Sequence, residues 1–100
     1  MNQTMNKTYF NLSFDKTITR LAGYDFGVET FEKQVEKNID FENPPIHIEF
    51  PDNIIKAASS FVQGFFKKLI EHYGYALIGN QVLIESKNQS LIDSIKNNLI

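Results

Sequence analysis

The chain has 100 residues, 42% of them hydrophobic and 22% charged, which suits one compact domain and excludes a two-domain enzyme. Ten Lys and Arg against twelve Asp and Glu leave a net charge of -2, too balanced to neutralise a run of phosphates or to coat an anionic membrane, so neither nucleic acid nor a membrane surface is an expected partner. With no cysteine, the chain has no disulfide framework, thiolate metal site or Cys nucleophile. Met1 to Thr8 is polar and lacks an apolar signal-peptide core, and no stretch approaches the roughly eighteen apolar residues of a membrane span, so the expected location is the cytoplasm.

Residues 1–7, with Asn2, Gln3, Thr4 and Asn6, have the composition of a disordered N-terminal arm, and Met5 could be the true start. The domain is expected over residues 8–100. From Thr8 to Phe14 the pattern alternates, Phe10, Leu12 and Phe14 against Tyr9, Asn11 and Ser13, as in a half-buried strand. Lys16 to Thr19 could add an edge strand. Leu21 to Gly27, with two glycines around Tyr24-Asp25-Phe26, reads as a loop whose aromatic pair plugs the end of the core.

Val28, Phe31, Val35 and Ile39 recur at helical spacing, which predicts a helix over Val28 to Asn38 with Asp25 or Gly27 near its start. Asn43-Pro44-Pro45 stops it and delivers the chain into Ile46 to Phe50, the candidate central strand. Pro51-Asp52-Asn53 is turn chemistry and Ile54-Ile55 a short apolar plug. From Ser59 to Tyr73, Phe61, Phe65 and Leu69 form one stripe and Val62, Phe66, Ile70 and Tyr73 its neighbour, giving a helix with a wide buried face. Ser59 or Ser60 can cap it, and Gly74 suits its C-terminal end. Tyr75 to Gly79 is ambiguous. Gln81 to Glu85 reads as a strand buried on both sides, and Ser90 opens a last helix with Asp93 at the capping-box position and Leu91, Ile92, Ile95 and Leu99 inward. The alternation of elements predicts an α/β fold: a small single domain with a mixed β-sheet and helices packed on it.

Motifs for catalysis are lacking. His47 and His72 have acidic neighbours only next to them in the chain or pointing elsewhere, so His47 is expected to face outward from a strand and His72 to complement a helix dipole. Ala57-Ala58-Ser59-Ser60-Phe61 has no glycine elbow for a serine nucleophile, and there is no phosphate loop ending in Gly-Lys-Ser/Thr. Phe65-Phe66-Lys67-Lys68 places two rings toward the core and two cations toward water rather than forming a stacking platform for single-stranded nucleic acid. No enzyme activity, metal or cofactor is expected.

The strand Ile46-His47-Ile48-Glu49-Phe50, the pair Ile54-Ile55 and the helix opening Ala58-Ser59-Ser60-Phe61, with Gly64 and Leu69 beyond and Gly27-Val28-Glu29-Thr30-Phe31 before, resemble the STAS-like domain of unknown function, a bacterial relative of the anti-sigma factor antagonist (STAS) domain. The resemblance spans most of Gly23 to Leu99, and its distinctive motif is the Ser-Ser-Phe step. It implies a STAS-like fold and a non-enzymatic regulatory protein-protein interaction domain that binds a kinase-like ATPase or another regulator. It further implies phosphorylation at Ser59, and a partner-binding edge formed by Asp52, Asn53, Ala58, Ser59 and Ser60. Here Ala58 and Phe61 stand where the antagonists carry aspartate and glycine. The alternative reading is a phage or mobile-element inhibitor or interaction protein acting on a host defence complex.

Overall fold

The computed structural model describes residues 7–75 and 80–99. The expected N-terminal arm, apart from Lys7, and most of the segment from Tyr75 to Gly79 lie outside the described residues. Strands β1 (Tyr9–Asn11), β2 (Arg20–Leu21), β3 (Ile46–Glu49), β4 (Lys56–Ala57) and β5 (Val82–Glu85) alternate with helices α1 (Tyr24–Phe31), α2 (Ser59–Tyr73) and α3 (Gln89–Asn98), and α1 continues into a π-helical turn at Glu32–Glu36. The result is a compact α/β globule with parallel strands in two small sheets.

The larger sheet has the order β1-β3-β5, with β3 in the centre as its alternating sequence suggested. Its register aligns Tyr9 with His47, and His47 with Leu83; two residues on, Asn11 aligns with Glu49, and Glu49 with Glu85. The smaller pair, β2 and β4, aligns Arg20 with Lys56 and Leu21 with Ala57. Every pairing among the described residues is parallel, where a mixed sheet was expected. The physical reason is that each strand reaches its paired neighbour through a connection containing a helix, α1 or α2, and such a crossover brings the chain back in the same direction.

The strand order advances one way across the sheet, so right-handed crossovers place the connecting helices on one face. The burial follows: Phe10, Ile46, Ile48, Val82 and Ile84 are buried, whereas Tyr9, His47, Glu49, Leu83 and Glu85 are half-buried and Asn11 is exposed. This corrects the reading of β5 as buried on both sides. Its Leu83 and Glu85 belong to the side that carries no helix among the described residues.

The first helix begins at Tyr24, inside the segment read as a loop, and its regular part ends before the expected Asn38. Gly23, at φ 103°, turns the chain into it. Gly27 lies within the helix, and glycine is needed there because α1 crosses α2 at contact distance: a Cβ on Gly27 would lie 2.7 Å from Phe65 N and 3.2 Å from Gly64 C, and one on Gly64 would lie 3.1 Å from Val28 N. Tyr24 and Phe26 are helix residues that stay partly exposed, at 43% and 37%, and Phe26 rests on Phe14 and Phe61 at ring separations of 6.1 and 5.6 Å. The buried Thr30 hydroxyl satisfies itself on Phe26 O at 2.7 Å.

Around α2 the expected stripes hold. Phe61, Val62, Phe65, Phe66 and Leu69 are buried, and Phe65 sits among the rings of Phe31, Phe50, Phe61 and Phe66 at separations of 5.5, 6.2, 5.9 and 4.9 Å. Leu91, Ile92, Ile95 and Leu99 of the last helix close the core, as expected. The capping box at Ser90 and Asp93 does not form. Asn88 is the N-cap without a side-chain cap bond, Ser90 Oγ donates to Asn88 Oδ1, and Asp93 instead accepts from the Gln89 side chain.

Candidate functional site

The loop after β3 and the opening of α2 lie at the carboxyl end of the central strand, the usual ligand side of parallel α/β sheets. The parallel pairing of β2 and β4 anchors this region. Ile55 N–H donates to Thr19 O and Ala58 N–H to Leu21 O, both at 2.8 Å. Ala58 itself is the N-cap of α2, with an extended backbone and no side-chain cap bond, so the expected cap by Ser59 or Ser60 is not made. Both serines are already inside the helix, Ser59 one position and Ser60 two positions too late to cap it.

The structure separates the five residues implied as a partner-binding edge. Ser60 Oγ accepts the Gly23 N–H at 3.0 Å and thereby ties the start of α1 to the start of α2. Asn53 Nδ2 donates to Ile18 O at 2.7 Å and holds the loop between β1 and β2. These two have structural duties. Asp52 and Ser59 are exposed and Ala58 is half-buried; Asp52 faces Lys87 at 3.4 Å, and the Ser59 hydroxyl has no hydrogen bond among the described residues. What remains for recognition is a hydroxyl beside uncapped helix N–H groups, with an exposed ion pair on the same end of the sheet.

A second cluster forms on the uncovered face of the β1-β3-β5 sheet. His47 Nδ1 lies 3.1 Å from Glu85 Oε2 across β3 and β5, and the Tyr9 hydroxyl donates to Glu49 Oε1 at 2.5 Å across β1 and β3. The Tyr9 and His47 rings stack at 5.3 Å. The Glu49 hydrogen bond is the main reason the Tyr9 phenol is pushed up to about 12, with desolvation and Glu85 adding to it. His47 is half-exposed, as expected of an outward strand residue, but it has a carboxylate partner from a strand 38 residues away. Only the register, Tyr9 beside His47 and Glu49 beside Glu85, makes the cluster, so no local sequence signal points to it.

His72, in the last turn of α2, stacks on Phe41 at 4.5 Å. Lys67 faces outward as expected, whereas Lys68 reaches both Glu36 carboxylate oxygens at 2.8 Å and Glu32 at 3.7 Å, pairing the π-helical turn with α2. That hydrogen bonding to Glu36 raises the Lys68 ammonium above its usual range. Among the described residues, no group of three or more His, Asp or Glu is arranged to hold a metal ion, and no helix is long and apolar enough to cross a membrane.

Comparison of the chain with protein-family models, with curated proteins and with solved structures returns no match.

Proposed function

We propose that this domain is a non-enzymatic regulatory module that binds another protein, a kinase-like ATPase or similar regulator, through the opening of α2. The observation that carries the reading is the division of labour between the adjacent serines: Ser60 is bonded to Gly23, while Ser59 is exposed with its hydroxyl unengaged among the described residues. The resemblance of Ala58-Ser59-Ser60-Phe61 to the corresponding step of anti-sigma factor antagonists supports the same choice of residue. A phosphate on Ser59 would add nearly two negative charges beside the positive end of α2, which the helix tolerates. An acidic or closely packed partner surface would not tolerate it.

The test is capture of partners from the native host by the wild-type protein and by Ser59→Asp, with circular dichroism as the control for folding. The reading expects a regulator retained by the wild type and weakened by Ser59→Asp at unchanged helicity. Equal retention by both forms would reduce Ser59 to an ordinary surface residue and remove the α2 opening as the binding edge. Turnover that survives repurification and is lost in a point variant would replace the module with an enzyme.

A further inference from the structure

We propose that the uncovered face of the β1-β3-β5 sheet is a docking surface for a short cationic segment, bearing arginine or lysine, of another protein. Parallel sheets almost always have both faces covered, because their crossovers supply helices to each side. Here the strand order sends the helices to one side, and the other presents Tyr9, Asn11, His47, Glu49, Leu83 and Glu85. Such a face is only half satisfied: Leu83 and the stacked rings of Tyr9 and His47 offer apolar surface, and the strands beneath them are held rigidly in register.

Charge selects the occupant. Glu49 and Glu85 stand directly opposite each other on neighbouring strands, a repulsive placement. Their bonded neighbours on the face are the neutral phenol of Tyr9 and the ring of His47. The lysine ion pairs among the described residues all lie elsewhere, Lys67 with Glu71, Lys68 with Glu32 and Glu36, and Lys87 with Asp52. An arginine or lysine from outside would relieve the repulsion between the two carboxylates and donate charge-assisted hydrogen bonds to them, and its aliphatic stem would cover Leu83. A second copy fits poorly, since it would bring a further pair of carboxylates toward the first. The face is also small, roughly 14 by 13 Å from strand spacing and rise, far below the ~800 Å² each partner contributes to a standard interface. A short segment matches both its size and its charge.

The surface is separate from the α2 opening, so its test does not depend on Ser59. Backbone amide NMR spectra of the full chain are followed during titration with a blocked tetra-arginine peptide, with tetra-lysine and tetra-glutamate as companions. The proposal expects shifts centred on Tyr9, Asn11, His47, Glu49, Leu83 and Glu85 with the cationic peptides and none with tetra-glutamate. The Glu49→Gln/Glu85→Gln double variant should bind tetra-arginine about tenfold more weakly. Glu32→Gln/Glu36→Gln, on the π-helical turn, should bind as the wild type does. Ser59→Asp should also leave the titration unchanged, which keeps failure of this surface distinguishable from failure of the α2 edge. Shifts mapped to another surface, no response, or equal weakening by both glutamine pairs would overturn the proposal. So would a concentration-dependent dimer in sedimentation that buries the same six residues. The wild-type map decides the matter even if the double variant does not fold.

Discussion

Gly27 of α1 and Gly64 of α2 lie against each other's helix backbone, so that a Cβ on Gly27 would sit 3.2 Å from Gly64 C and 2.7 Å from Phe65 N. This contact lets two short helices approach closely over the sheet and sets where α2 begins relative to α1, which in turn brings Ser60 to Gly23. Neither glycine can gain a methyl group without one helix backbone moving. Gly27→Ala and Gly64→Ala should each destabilise the domain toward the upper end of the about 1 to 3 kcal/mol typical of overpacking, measured by denaturant unfolding. Wild-type midpoints for both would mean that the helices are further apart than described.

Phe65 is the hub of the aromatic core, with Phe31, Phe50, Phe61 and Phe66 around it. Truncation leaves a cavity that four large rings cannot easily collapse into. Phe65→Ala should cost about 3 to 5 kcal/mol, enough to unfold much of a marginal domain. A melting curve that overlays the wild type would place Phe65 outside the core.

The two serines should behave differently when changed to alanine. Ser60→Ala removes the acceptor of the Gly23 N–H and is expected to cost about 1 kcal/mol, whereas Ser59→Ala should stay within about 0.5 kcal/mol of wild type. Equal costs in chemical denaturation would remove the distinction between a structural and a free hydroxyl.

The Tyr9 phenol is held up to about 12, against an ordinary value of 10.0, chiefly by its hydrogen bond to the Glu49 carboxylate. Because the folded value lies above the unfolded one, the contribution of this bond to stability is fully present below about pH 10 and is lost as pH rises toward about 12. Ultraviolet titration of phenolate should show a late-ionising tyrosine that disappears in Tyr9→Phe and moves toward its ordinary value in Glu49→Gln. An unaltered late component in Tyr9→Phe would assign it elsewhere. Tyr73 is the competing candidate, since desolvation raises its phenol, which donates to Phe41 O at 2.6 Å.

Much of the architecture is legible in the sequence because it is local. The spacing of Phe61, Phe65 and Leu69 specifies the buried stripe of α2, the alternation from Ile46 to Glu49 specifies the central strand, and Leu91, Ile92 and Ile95 specify the inner face of α3. Burial with a period of 3.6 or 2 leaves its mark within a few consecutive residues. The start of α1 was hidden for a related reason: glycine lacks a local preference for helix, and position 27 takes glycine because another backbone occupies the space where a side chain would be.

By itself, then, the amino-acid sequence determined a small α/β domain, its helix and strand periodicities and most of its core. The tertiary structure alone decided that every described strand pairing is parallel, that β5 buries one side rather than both, and that Ser60 rather than Ser59 is engaged. It alone also brought Tyr9 to Glu49 and His47 to Glu85, residues separated by 40 and 38 positions. The physical reason is common to all of these. Strand register and helix crossing depend on how distant surfaces fill one shared core, and a pattern confined to neighbouring residues carries no record of which distant residue will lie opposite.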